Sequence, residues 1–207
     1  MKAMYKLLFL ISIIWLSGCQ EEYYFDGGLS DANLNMSTFD FLKSRPDEFE
    51  KLVWIIEQNN LQDLIDQSNS TFFASKDAAI DKYLVVMELD DYQFTKLPPE
   101  EVKKLGELVK SYLINETIKR ENITTQGKEY LNLKDEKVKV SFQETPYNGV
   151  SGYGPKYVLF TTYTIFTDPA TNESIEIQNT ATVATSDLVS TNGIVHVLQA
   201  TSHVFGR

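Results

Sequence analysis

Apolar residues along the chain form a continuous run at first, then fall at helical spacing through the first half and alternate in the second. Leu7 to Leu16 is an apolar run behind the basic residues Lys2 and Lys6. A bilayer-spanning helix needs about 20 such residues, so this shorter run predicts a cleaved secretory signal over residues 1–18. Gln20 to Asn35 shows no apolar period and contains Asp26-Gly27-Gly28, which reads as a tether over residues 19–35. Phe49, Leu52, Val53 and Ile56 then recur at helical spacing, and Leu61, Leu64 and Ile65 continue that face beyond Asn59-Asn60, predicting two short helices. Ser70 to Ala74 reads as a buried strand, and Ser75 to Ala79 as the capped start of a helix. Pro98-Pro99-Glu100-Glu101 opens another helix: proline suits the first turn and acids suit the positive end of the dipole. Its buried stripe is Val102, Leu105, Val109 and Tyr112, and its end is expected near Asn115.

From Lys137 the period becomes two, with Val138, Val140 and Phe142 set against Lys137, Lys139 and Ser141. Tyr157 to Phe166 and Ser174 to Gln178 are β-rich runs joined by a Thr167 to Asn172 hairpin connection, and Thr180 to Thr185 and Gly193 to Leu198 supply two more strands. Helices gathered before strands indicate an α+β fold in a single domain over residues 36–207.

Leu16-Ser17-Gly18-Cys19 resembles the bacterial lipobox, in which small residues fit the signal peptidase and the cysteine thiol receives a diacylglycerol. The resemblance implies a lipid on Cys19, a partner membrane reached through that anchor, and no free thiol, since Cys19 is the only cysteine. Glu21 and Glu22 behind it resemble the surface-export signal of Bacteroidetes lipoproteins, implying an outer-membrane protein displayed at the cell surface. Loss of Lys2 and Lys6 with the signal leaves 17 basic against 29 acidic residues, a formal charge of −12. Such a surface repels phosphate backbones, which excludes nucleic acid as a natural partner.

Two segments resemble the signature boxes of the fasciclin-like domain family. Thr71-Phe72-Phe73-Ala74-Ser75-Lys76-Asp77-Ala78-Ala79-Ile80 is similar to the first box, with Ser75 where proline is usual and Ile80 where phenylalanine is usual. Thr191-Asn192-Gly193-Ile194-Val195-His196-Val197-Leu198 is similar to the second almost residue for residue. There Asn192-Gly193 is expected to take positive φ in a tight turn, with Ile194, His196 and Leu198 on one strand face. The resemblance implies a wedge-shaped β-sandwich with helices packed around it. In animal members a Tyr-His pair is tied to integrin contact; the matching place here is Tyr112-Leu113, so that recognition is not carried over. Residues 143–172 are longer than the family usually has there, and read as an added loop and hairpin.

The chemistry-bearing residues are sparse. His196 and His203 are the only histidines, too few for a histidine-based triad or metal cluster, and His196 among apolar neighbours reads as structural. Glu88, Asp90 and Asp91 read as a solvated acidic loop rather than a calcium site. No cofactor or metal is expected. The added segment holds Tyr147, Asn148, Tyr153 and Tyr157, whose flat apolar rings with polar tips suit stacking on sugars or anchoring a protein, or else packing the hairpin on the sandwich. The reading is a non-catalytic, surface-displayed adhesion or binding module for an extracellular glycan, a protein ligand or an envelope protein. The alternative is an accessory protein or hydrolase of an outer-membrane glycan-import system.

Overall fold

The structure, a computed structural model, describes residues 32–150, 154–169 and 171–207. Among the described residues five helices, α1 (Thr38–Lys43), α2 (Pro46–Gln58), α3 (Gln62–Ile65), α4 (Asp77–Val86) and α5 (Pro99–Lys110), precede or interleave with β1 (Ser70–Ala74) and β2 (Leu113–Ile114). The strands β3 (Lys128–Leu131), β4 (Lys137–Glu144), β5 (Lys156–Thr167), β6 (Ser174–Val189) and β7 (Gly193–Leu198) follow. Hydrogen bonding runs in the order β2-β1-β7-β6-β5-β4-β3, with β1 and β7 parallel and every other pair antiparallel. Ala32 to Leu34 also run beside the end of β6, the Leu34 N–H donating to the Val189 carbonyl at 2.8 Å.

This sheet folds over on itself. In a flat sheet β1 and β5, three positions apart, would be separated by about 14 Å. Instead Phe73 of β1 stacks on Phe160 of β5 with ring centroids 4.3 Å apart. The fold-over lies in β6, whose first part pairs with β5 and whose last part, from Val183, pairs with β7. Between Val183 and Leu188 the register shifts twice and Asp187 takes φ +59, a bulged stretch that re-aims the strand. The two expected strands at Ser174–Gln178 and Thr180–Thr185 are therefore one long strand serving both halves of a sandwich. His196, Phe73, Phe160, Tyr112 and Phe205 form a column of rings through it, each ring centroid within 6 Å of the next.

The boxes hold this fold through hydrogen bonds. The Thr71 hydroxyl accepts from the Ile118 N–H at 2.8 Å and donates to the Glu116 carbonyl at 2.7 Å. The Ile118 carbonyl accepts from Nε2 of His196 at 2.9 Å, while Nδ1 accepts from the Asp187 N–H at 3.3 Å. One imidazole thus satisfies the β6 bulge and, with Thr71, both backbone groups of the crossing segment at Ile118. Burial lowers the pKa of His196, favouring the neutral ring that this donor–acceptor pattern requires.

Asn192-Gly193 departs from expectation, since neither residue has positive φ. Asn192 is kept for its side chain: Oδ1 accepts from the Thr38 N–H at 3.0 Å at the start of α1, and Nδ2 donates to the Ile65 carbonyl at 3.4 Å at the end of α3. Gly193 is kept for room, because a Cβ there would lie 2.5 Å from the Ser70 carbonyl oxygen. Asp77 of the first box also reaches elsewhere. Helix α2 is broken at Phe49 (φ −134), and the N–H groups of Lys51 and Leu52 beyond the break donate to the Asp77 carboxylate. Helix α5 ends at Lys110 rather than near Asn115. The apolar stripe continues through Tyr112, but there the backbone turns to serve β1: the Tyr112 carbonyl accepts from Phe73 N–H, and Leu113–Ile114 pair with β1.

Two buried hydroxyls at either end of this motif separate bonded from unbonded roles. Thr71 carries two hydrogen bonds, whereas Oγ of fully buried Ser75 has no partner among the described residues. Thr71→Val is expected to lower unfolding stability by about 1–3 kcal/mol, and Ser75→Ala to leave it unchanged or raise it by up to about 1 kcal/mol. Urea titrations of the two variants check this: equal losses would show that the Thr71 bonds contribute nothing particular.

Candidate docking surface

The added segment is two surfaces rather than one. Residues 145–155 join β4 to β5 at one end, and Thr167–Ser174 close the β5–β6 hairpin at the other, about 36 Å away along β5. At the first end Tyr147 and Val150 exchange two backbone hydrogen bonds, of 3.1 and 2.9 Å, around Asn148 (φ +49) and Gly149 (φ +78). That is a two-residue hairpin turn, and Asn148 fits it because asparagine tolerates the left-handed region. Tyr147 is 63% exposed, and Tyr157, opposite Gln143 on β4, is also exposed. Tyr153, like Cys19 and the expected signal and most of the tether, lies outside the described residues.

At the second end β5 and β6 outrun their neighbours. The β4 pairing with β5 extends from Glu144↔Lys156 to Val138↔Thr162, and β7 pairs with β6 only from Val183. Tyr163–Thr167 and Ser174–Gln178 therefore project as a two-stranded ribbon, closed by Asp168 N–H to Glu173 carbonyl and Asn172 N–H to Asp168 carbonyl bonds. Alternation carries the buried face of the sandwich out along it. Val158 and Phe160 are buried, and Phe166, three steps of the same two-residue period beyond Phe160, stands opposite Ile175 with Ile177 beside it. Ile165, Phe166, Ile175 and Ile177 are between 43% and 72% exposed. These four residues escaped sequence reasoning, because apolar alternation in a strand reads as core. The available signal was Ile165-Phe166, which places apolar side chains on both faces.

The other candidates are committed inside the fold. Tyr112 is buried; its hydroxyl accepts from the Gly206 N–H at 2.6 Å and lies 2.9 Å from Nε2 of His203, to which it donates. Burial raises its pKa. His203 is held neutral, its pKa pushed down to about 4 by burial and then by the nearby Lys82 ammonium. Lys82 itself donates to the carbonyls of Ala200, Thr201 and His203, tying α4 to the last residues. Among the described residues no group of three or more His, Cys, Asp or Glu is arranged to hold a metal, and no helix is long and apolar enough to cross a membrane. Asp77 is the carboxylate that burial pushes upward, yet its oxygens are occupied by backbone N–H groups. A shallow pocket of about 260 Å³ lies by α1 and α2, lined by Leu42, Val53 and Trp54 with Lys43, Glu50 and Glu57.

A neutral buried histidine makes stability depend on acid. The unfolded chain takes up a proton at His203 below about pH 6.5, while the folded chain resists until about pH 4, so stability is complete above that window and falls through it. The expected loss is about 3 kcal/mol between pH 7 and pH 4. His203→Gln should flatten this part of the profile relative to the parent in urea titrations at pH 7, 5.5 and 4. An unchanged slope would remove His203 as its cause.

The family model of the Fasciclin domain matches residues 47–201. Among solved structures the chain is similar to a FAS1 domain pair from the insect cell adhesion molecule Fasciclin I, with 15% sequence identity and a TM-score of 0.47. That likeness covers 76% of this chain and 44% of the other. Among curated proteins, none matches.

Proposed function

The chain belongs to the Fasciclin domain family, and on that premise we propose that it is a non-catalytic adhesion or binding module, anchored in the bacterial outer membrane by a lipid on Cys19 and displayed at the cell surface. The observation that carries the binding reading is the concentration of exposed aromatic and apolar side chains at the two ends of β5, outside the packed core. Exposed patches of this kind mark contact sites more often than catalytic ones. Tyr147 at the Asn148 turn and Tyr157 at the start of β5, with Tyr153 between them in the sequence, are the proposed anchors for a glycan or protein ligand.

The exposed ribbon favours one part of the alternative, an accessory protein of an envelope assembly, over the other. A glycoside hydrolase ordinarily uses two carboxylates facing a cleft, and Asp77, the acid that burial pushes upward, faces the broken turn of α2 instead.

Two measurements test the proposal. In a bacterial host, Cys19→Ala is expected to move the protein out of the membrane fraction and to abolish incorporation of labelled fatty acid; retention of both would overturn the anchor. On a glycan and matrix-protein array, the parent is expected to bind. The triple variant Tyr147→Ala, Tyr153→Ala and Tyr157→Ala should bind at least about tenfold more weakly at an unchanged urea midpoint. Equal binding by both would remove the tyrosines from the site.

A further inference from the structure

We propose that the open edge of β6, from Ser174 to Ala181, is a docking strand that takes up an extended segment of a partner protein with apolar residues at alternate positions and lysine or arginine between them. The inference rests on the binding-module reading and names its partner's chemistry. Its starting point is Thr182, where pairing with β5 continues but pairing with β7 has not begun. The Thr182 N–H donates to Oγ of Ser202 at 3.1 Å and its carbonyl accepts from the Gln199 N–H at 2.8 Å, so both of its backbone groups point away from β5. In an antiparallel pair this orientation recurs at every second residue. Thr180, Gln178 and Glu176 therefore turn their N–H and C=O groups to the same open side, and no described strand pairs with them there. Such an edge is a template for one more strand.

Native edges are ordinarily blunted by lysine, proline or a covering element. Here no Lys or Arg occurs between Lys156 and Arg207, and the one proline of the stretch, Pro169, sits in the tip. The two faces beside the edge then state what fits. One carries Phe166, Ile175 and Ile177, which an added strand covers with apolar side chains. The other carries Glu176 opposite exposed Ile165, with Glu173 at the tip. Lys137 lies beside this face: its Nζ is 2.8 Å from Glu129, sits over the Tyr163 ring and is near enough to Glu176 for the two charges to interact. Glu129 and Glu176 share that one lysine, so a strand with basic residues on that side adds complementary charge, whereas a second copy of this chain, at net −10, brings acid to acid.

The test uses the purified full chain in detergent and a fluorescent peptide of alternating lysine and valine, eight residues long as a design choice of about the edge length. Binding is expected by anisotropy, with slowed amide exchange at Glu176, Gln178 and Thr180. A peptide with glutamate for lysine, or one N-methylated at its lysines, is expected to bind at least about tenfold more weakly. So is the parent peptide to the Gln178→Pro variant, which loses an outward donor, and to Ile177→Ser. Because the N-methylated peptide is tried on the unaltered protein, the result does not depend on how the variants fold. The proposal is overturned by no binding up to about 1 mM, by binding indifferent to N-methylation, or by self-association through the ribbon in sedimentation that Gln178→Pro abolishes. None of these outcomes touches the anchor or array measurements, so the binding-module reading stands or falls separately.

Discussion

The backbone of Ile118 is where the architecture closes. Its N–H is held by Thr71 of β1 and its C=O by His196 of β7, while the second nitrogen of the same imidazole accepts from Asp187 in the bulge that folds the sheet over. Three separate needs meet there: a crossing segment without a ladder of its own, a strand that must change partners, and buried donors and acceptors that are costly to leave unpaired. A neutral imidazole meets two of them because one ring nitrogen donates and the other accepts. Its stacking on Phe73 at 5.0 Å then ties the polar junction to the column of aromatic rings.

Elements with strong local patterning were legible in the sequence. The Ser70–Ala74 strand, the Asn59-Asn60 break between helices and the Pro-Pro-Glu-Glu helix start all stand where apolar spacing and turn chemistry put them. The misses occur where a distant partner decides. Helix α5 stops early because β1 claims the backbone at Tyr112 and Leu113. Asn192-Gly193 reads locally as a turn, but its side-chain bonds to α1 and α3 and its contact with Ser70 involve residues far away in sequence. Two strands merge into β6 because its partner changes while its extended backbone continues.

The candidate surfaces follow the same division. Exposure of Tyr147 goes with a turn whose residues, Asn148 and Gly149, announce it. The ribbon was hidden, because Phe166, Ile175 and Ile177 keep the period of the core strand they extend. Whether an alternating apolar face is buried depends on where β4 and β7 stop, which is a property of other segments. Tyr112 is the reverse case: a residue aligned with a contact position in relatives, here consumed by Gly206, His203 and Phe205 in the interior.

Strand β6 also has a mechanical meaning. It runs from the ribbon tip at Ser174, through the bulge at Asp187, to Val189, where Ala32 to Leu34 enter the fold and bond to it in parallel. Tension applied between a partner at the ribbon and the chain's N-terminal side is thus directed along one strand, bulge included. The flanking hydrogen bonds to β5 and β7 lie across that direction, so they are sheared together instead of opened one at a time. A strand that changes partners halfway spreads the pull over both halves of the sandwich.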